Sequence, residues 1–138
     1  MAARYPEYYL YEETPVVFVE PPGGGLDCLV LSSSTGGFER DLEYVTKIRF
    51  GTTADIRTLS RTEFVQRVEE FRGRWLRGDG PVFALYETIG GIEQNARDEA
   101  RRLTDEEAAL VHTLRLRTHE LFEAGLQAEG RPGTPGES

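Results

Sequence analysis

The sequence has few of the residues that crosslink proteins or bind metals. One cysteine, Cys28, is present among 138 residues, so an internal disulfide bond is excluded, and two histidines offer little material for a metal site. Cys28 lies in an apolar run, which predicts a buried, inert thiol rather than a nucleophile. We expect no metal, no cofactor and a reducing compartment, with the cytoplasm as the default location.

Long apolar runs are also missing. No stretch approaches the roughly 18 consecutive apolar residues that mark a membrane-spanning helix. The N-terminal residues show no basic segment followed by an apolar core, which is the pattern of an export signal. We therefore expect neither export nor membrane association.

Lysine is nearly absent, since Lys47 is the only lysine and the other basic residues are arginines. The 24 acidic residues outnumber the 16 basic ones, which gives a formal net charge of −8. Binding to a phosphate backbone needs a cationic surface, so we predict no nucleic-acid partner. An acidic surface instead favours a basic protein partner.

No group of residues close in sequence forms a catalytic motif. The serines at 32–34 have no neighbouring histidine to act as a base, and the turn at 21–25 lacks the Lys-Ser/Thr ending of a phosphate-binding loop. His112 and His119 are seven residues apart, about 10 Å along a helix, which is too far for one metal ion to bind both. The sequence favours a protein without catalytic activity and leaves open an acid–base pair assembled across distant segments.

The strongest local signal is an amphipathic helix over residues 60–77. Ser60 and Glu63 have the spacing of a capping box, in which each side chain accepts from the other residue's backbone N–H. The apolar stripe of this helix is Phe64, Val68, Phe71 and Trp75, and its predicted solvent-facing side chains are Gln66, Glu69, Glu70 and Arg72. The stripe must be covered, and we expect a sheet built from the preceding residues to cover it.

The rest of the chain predicts strands before this helix and helices after it. Extended segments are predicted at residues 5–13, 16–20, 26–31 and 38–50, with a short strand or a buried contact at Ile56. Residues 82–86 fit a strand and also a helix that begins at Pro81, and we favour the strand. Further helices are predicted at 92–103 and from Asp105 to Gly125 or Gly130.

These elements predict an α+β fold. An antiparallel sheet of three to five strands from the N-terminal half packs against the central helix, and two C-terminal helices follow. We expect a single domain over residues 1–130 and a disordered, Gly/Pro/Ser-rich tail over residues 131–138.

The composition and the missing motifs favour protein binding without catalysis. We expect a small acidic module of bacterial type that acts on a protein partner, as inhibitors, immunity proteins and chaperones do. Aromatic residues are enriched where partners bind, so the first extended segment, which we interpret as an edge strand, is the candidate contact surface. Its candidate residues are Tyr5, Tyr8, Tyr9, Tyr11, Glu12 and Glu13.

A second hypothesis is a small-molecule-binding protein or enzyme with a pocket between the sheet and the C-terminal helices. Its candidate ligand-binding residues are Tyr44, Arg49 and His112. Gly90 and Gly91 would let a ligand or another backbone approach closely. Self-association as a homodimer through the helix at 105–126 is compatible with either hypothesis.

Overall fold

The computed structural model describes residues 4–51 and 54–136, and within them the chain adopts an α+β fold. The elements, in chain order, are β1 (Glu7–Tyr11), β2 (Thr14–Val19), β3 (Asp27–Leu31), β4 (Phe38–Arg40), α1 (Glu43–Phe50), β5 (Ile56–Leu59), α2 (Arg61–Trp75), α3 (Pro81–Asp98) and α4 (Asp105–Ala128). The described strands form one antiparallel sheet in the order β4-β3-β2-β1-β5. The predicted fold class is confirmed.

The sheet is covered on both faces, which explains the continuous apolar run in β2. Val17 packs with the core residues of α2, whereas Val16 and Phe18 point to the opposite face and pack with Cys28. Successive side chains of a strand alternate between faces, so a run of buried residues requires cover on both sides. The helix α1 supplies part of that second cover through Tyr44, Val45 and Ile48.

The central helix α2 forms as its sequence predicts. The Ser60 hydroxyl accepts from the Glu63 N–H at 3.1 Å, and the Glu63 carboxylate accepts from the Ser60 N–H at 2.9 Å. Phe64, Val68 and Phe71 are buried against the sheet. The helix therefore lies on the pleated layer built by the preceding residues, and its opposite side contacts α3 and α4.

The predicted strand at 38–50 is wrong beyond Arg40, because residues Glu43–Phe50 form α1. The alternation of apolar residues fits a strand, but Tyr44, Val45 and Ile48 also have the i, i+1, i+4 spacing of a helix stripe. The Asp41 carboxylate accepts from the Glu43 N–H at 3.1 Å and helps to start the helix. One side of this short helix then packs on the sheet.

The favoured strand at 82–86 is also wrong, and the alternative that begins at Pro81 is correct. Pro81 occupies the first turn of α3, where backbone N–H groups have no acceptor within the helix, so the lack of an N–H in proline costs no hydrogen bond. Tyr86, Ile89 and Ala96 form the buried stripe, and the helix continues through Gly90 to Asp98. The predicted helix at 92–103 is therefore the second half of α3, and it ends at Asp98 rather than at residue 103.

The last helix begins as expected, and part of the segment that follows it contacts α4. Thr104 and Glu107 form a second capping box at the start of α4. The sequence predicts disorder from residue 131, but in the structure Thr134 is buried and its N–H donates to Glu123 at 2.6 Å. The rest of that prediction, residues 137–138, lies outside the described part of the chain.

Candidate functional site

A carboxylate buried between three helices is the chemically most unusual feature of the structure. Glu69 of α2 is inaccessible to solvent, and its Oε1 accepts hydrogen bonds from Tyr86 and Thr118, each at 2.7 Å. Its Oε2 accepts from Arg72 at 2.8 Å and lies 3.0 Å from His119 Nδ1. Each oxygen thus has two polar neighbours, which occupies the acceptor sites of a carboxylate.

Arg72 holds this carboxylate and joins α2 to two other parts of the fold. Its Nε donates to the Gly36 carbonyl at 2.8 Å, and its Nη2 donates to Glu123 at 2.9 Å. The guanidinium also stacks over the Phe122 ring, 4.2 Å from the ring centroid. Gly36 has a φ of +75° and closely approaches Phe122, so a larger residue there would displace the carbonyl that Arg72 binds.

The C-terminal segment closes the network from outside. Besides the bond from Thr134 to Glu123, the Pro135 carbonyl accepts from the Tyr8 hydroxyl at 2.9 Å and from Arg61 at 2.8 Å. These contacts join the end of the chain to β1 and to the first turn of α2. The bond from Thr134 reaches Glu123 of the network, whereas the bonds to Pro135 lie at the start of α2.

The electrostatics of the network favour a structural role over acid–base chemistry. Burial alone would raise the pKa of Glu69, but the hydrogen bond from His119, the charge of Arg72 and the hydroxyls of Thr118 and Tyr86 together hold that pKa below its usual value. The pKa of Tyr86 is raised by burial and by the neighbouring Glu69 charge. An ionised carboxylate with every acceptor site occupied is poorly placed to take up a proton in a reaction.

A cleft of about 480 Å³ opens between α2 and α3, next to the network. Glu69 and Tyr86 form part of its wall, so the network and the cleft share two side chains. Its lining residues are Glu13, Glu69, Glu70, Gly73, Arg74, Tyr86, Ile89, Gly90, Glu93, Arg97 and Arg115. The cleft is therefore mostly charged, with a short apolar section at Ile89.

Ion pairs hold several of these side chains in position. Arg115, whose side chain is only 12% exposed, lies 3.2 Å from Glu93 and 3.9 Å from Glu70. Arg74 and Glu13 pair at 2.8 Å, and both are largely exposed. An exposed pair contributes little to stability and can exchange partners at small cost.

A second candidate surface surrounds an exposed tryptophan, and we call it the Trp75 face. It consists of Glu12, Glu13, Asp55, Glu70, Phe71 and Trp75, which line two adjoining depressions of about 210 and 310 Å³. The first depression is also lined by Arg57, Arg67 and Arg74. Trp75 is 54% exposed and contacts Phe71, with 6.3 Å between the ring centroids. A large aromatic side chain is thus partly open to water, with the Arg74 guanidinium 5.9 Å from its ring centroid and several carboxylates nearby.

The turn between β1 and β2 places two of these carboxylates. Glu12 has a φ of +56°, a left-handed conformation that costs energy for residues other than glycine. Its N–H donates to the Asp55 carbonyl at 2.7 Å, which ties the turn to the segment before β5. The fold therefore keeps a glutamate where a glycine would be less strained.

The predicted partner-binding residues divide into three environments. The strand β1 lies between β2 and β5 rather than at a sheet edge, so the expectation of an edge strand is wrong. Tyr8 is buried against Phe64, whereas Tyr9 packs on Phe18 at the opposite face. The remaining candidates lie as follows: Tyr5 and Tyr11 on that opposite face, near α1, and Glu12 and Glu13 on the Trp75 face.

The predicted ligand-pocket residues do not come together. Tyr44 packs edge-to-face on Tyr11, and the Arg49 guanidinium lies over Phe18, both on the α1 side of the sheet. His112 is exposed on α4, beyond the other face, and borders a depression beside Gln66. These three residues therefore share no pocket.

Several candidate site residues were misjudged from the sequence. Glu69 and Arg72 were expected on a solvated face but are fully buried, and Trp75 was expected under the sheet but is exposed. Val65, Glu69 and Arg72 are spaced as a second stripe at i, i+4 and i+7, which could have indicated a second buried side of α2. The contact of Glu69 with Thr118 joins residues 49 positions apart, and no local pattern indicates it.

Comparison with known proteins adds no functional information. No protein-family model, curated protein or solved structure matches this chain. Among the described residues, no three His, Cys, Asp or Glu side chains are arranged to hold a metal ion. None of the described helices is long and apolar enough to cross a membrane.

Proposed function

We propose that this protein binds a basic protein partner, without catalysis, through the Trp75 face. The observation that carries this proposal is a tryptophan more than half exposed, beside two depressions bordered by Glu12 and Glu13. Tryptophan is among the residues most often found to dominate binding energy at interfaces. Covering this side chain with a partner would supply about 1.5–3 kcal/mol from apolar burial.

Charge supports a basic partner. The net charge of −8 attracts cationic proteins at long range. Within the described part of the chain, Glu12 and Asp55 form no ion pair, so a partner's lysine or arginine can bind them without breaking an existing pair. We expect association to weaken as salt is added, because salt screens exposed charges.

The strained turn gives independent support. A glutamate held at positive φ is less stable there than glycine, and backbone strain of this kind concentrates at functional sites. A role for the Glu12 carboxylate in binding at the Trp75 face would explain why a strained glutamate stands at this position. In this proposal the protein is a small acidic module of the inhibitor, immunity or chaperone type, acting in the cytoplasm of a bacterial cell.

The experiment compares two exposed apolar residues. Immobilised wild-type protein, Trp75→Ala and Leu110→Ala are used to capture partners from a host lysate, and the retained proteins are identified by mass spectrometry and then purified. Leu110 is 48% exposed on α4, away from the Trp75 face, and serves as the matched control. We expect one basic protein whose Kd rises by about thirtyfold for Trp75→Ala, equivalent to about 2 kcal/mol, and is unchanged for Leu110→Ala.

Two further variants test the charge argument. Glu12→Gly should weaken binding, although it relieves backbone strain and leaves the fold at least as stable. Glu129→Gly, at the exposed end of α4, is the control: it makes the same change away from the Trp75 face and should leave binding unchanged. The proposal fails if no protein is retained specifically, or if Trp75→Ala and Leu110→Ala bind the purified partner equally well.

A further inference from the structure

We propose that the cleft between α2 and α3 binds a small zwitterion of the dipeptide class. In this arrangement the ligand's ammonium group lies at Glu70 and Glu93, and its carboxylate lies at Arg97. The inference concerns a small-molecule site that adjoins the Trp75 face and shares Glu13 and Glu70 with it, and it does not depend on the protein-binding proposal.

One face of α3 supplies the wall of the cleft. Tyr86, Gly90, Glu93 and Arg97 are spaced at i, i+4, i+7 and i+11, so they lie along the same side of the helix. Across the cleft, α2 contributes Glu69, Glu70, Gly73 and Arg74, and the Tyr86 ring packs against Gly73. Charged side chains therefore line both helices, and the backbone at Gly90 is left bare between them.

Gly90 leaves space that the protein itself does not fill. A Cβ atom built at Gly90 would meet no atom within 4 Å, and the same is true of Gly91. Glycine inside a helix is less stable than alanine, so close packing within this chain does not explain either residue. Gly90 lines the cleft, whereas Gly91 is not among its lining residues. Because Gly90 has no side chain, a ligand in the cleft can rest directly on the helix backbone there.

The carboxylates of the cleft are positioned but not fully engaged. The nearly buried Arg115 bonds Glu93 at 3.2 Å, and Glu70 lies 3.9 Å from Arg115 and pairs with Arg67 at 3.2 Å. The side chains of Glu93 and Glu70 remain 32% and 50% exposed. A carboxylate has about four acceptor sites, so each retains sites for a ligand's ammonium group. The ion pairs therefore fix the position of the anionic part of the cleft in advance.

Arg97 supplies the opposite charge at the far end. Its guanidinium bonds to the Gln94 side-chain oxygen at 2.9 Å, and it forms no ion pair with a carboxylate in the described part of the chain. A planar guanidinium binds a carboxylate through two parallel hydrogen bonds. The cleft thus combines carboxylates that can accept from a cation with the Arg97 guanidinium, which can bind an anion without first releasing a carboxylate.

The dimensions fit a dipeptide. Glu93 and Arg97 are separated by about 6 Å along the helix axis, and two extended residues span at most about 7 Å. The cleft volume of about 480 Å³ lies within the usual range for small-molecule sites, with Ile89 available to contact an apolar side chain. The carboxylates of the cleft would repel a simple anion. A simple cation would bind the carboxylates but leave the Arg97 guanidinium without a partner.

The first part of the test uses glycyl-phenylalanine as the probe. Binding to the full-length protein is measured by calorimetry and by the shift in Tm. The N-acetylated and the C-amidated peptides, each lacking one terminal charge, are the comparison ligands. We expect the free dipeptide to bind and each blocked form to bind at least about tenfold more weakly.

Two pairs of variants then locate the site. Gly90→Leu should fill the cleft and weaken binding by at least about tenfold, whereas Gly91→Leu makes the same change outside it and should bind normally. Both should fold, because each position has open space. Arg97→Gln should reduce the difference between the free and C-amidated peptides, whereas Arg117→Gln, on an exposed pair with Glu120, should preserve it.

Three results would overturn the proposal. They are the absence of any Tm shift at about 10 mM dipeptide, equal binding of the free and both blocked peptides, and equal binding by Gly90→Leu and Gly91→Leu. Loss of the protein partner with Trp75→Ala would leave these measurements unchanged. Failure of one proposal is thus distinguishable from failure of the other.

Discussion

Replacing Arg72 by methionine should cost a large part of the stability of this fold. The guanidinium binds Glu69, Glu123 and the Gly36 carbonyl while it is fully buried. Methionine keeps much of the apolar volume but leaves the Glu69 carboxylate without its cation. Removing one member of a buried ion pair typically costs about 3–5 kcal/mol, because the remaining charge cannot return to water.

This loss is measurable against the stability expected for one domain. Globular domains unfold with about 5–15 kcal/mol, so the variant would lose between a fifth and all of that free energy. With a urea m-value of about 2 kcal/mol/M, the unfolding midpoint should fall by about 1.5–2.5 M. Circular dichroism is the suitable signal, because the only tryptophan, Trp75, is already 54% exposed in the folded state.

Arg67→Met is the matched control on the same helix. Arg67 is partly exposed and pairs with Glu70 at 3.2 Å, so its removal should cost less than about 0.5 kcal/mol. The loss of stability for Arg72→Lys should lie between those of the other two variants, since one ammonium group cannot bind all three acceptors that the guanidinium reaches. A cost below about 1 kcal/mol for Arg72→Met would refute the reasoning, because Glu69 would then be stable without its cation.

Three other measurements follow from the same structure. The pKa of Glu69 in the folded protein lies below the ordinary glutamate value of 4.5, so the folded state binds this proton less readily than the unfolded state. Stability should therefore fall as pH drops below about 4.5, and the urea midpoint of Glu69→Gln should depend less on pH there. Burial raises the pKa of Cys28 to about 12, so a thiol reagent should modify it only on the timescale of unfolding. Gly90→Ala and Gly91→Ala should each raise the free energy of unfolding by up to about 1 kcal/mol, as chemical denaturation can check.

Local signals in the sequence predicted the fold class and failed where two structures fit one pattern. The capping residues Ser60 and Thr104 fixed two helix starts, because each bond joins residues only three positions apart. The segment after Asp41 satisfies strand alternation and helix spacing together, and packing against the sheet selects the helix. At Pro81 the same ambiguity arose, and the contacts of α3 with α4 select the helix.

The candidate sites depend on contacts that short-range patterns do not contain. Glu12 and Glu13 were selected for their charge, and they do border the Trp75 face. The tyrosines of β1 were selected for their number, but the sheet and its covering helices use their rings mainly for packing. Composition alone therefore does not distinguish a ring that packs in the core from one that is open to a partner.

The buried network determines the geometry of both proposed sites. Glu69 is bound to Tyr86 of α3 and to Thr118 of α4, so it sets the distance between α2 and the two helices that complete the cleft. The next two turns of α2 carry Gly73 and Trp75, which belong to the cleft and to the Trp75 face. Tyr86→Phe removes one donor to Glu69 at the cleft wall without changing a charge. The Kd for the dipeptide should therefore rise more than the Kd for the protein partner. An equal rise in both would contradict this and would indicate that the substitution displaces the whole of α2.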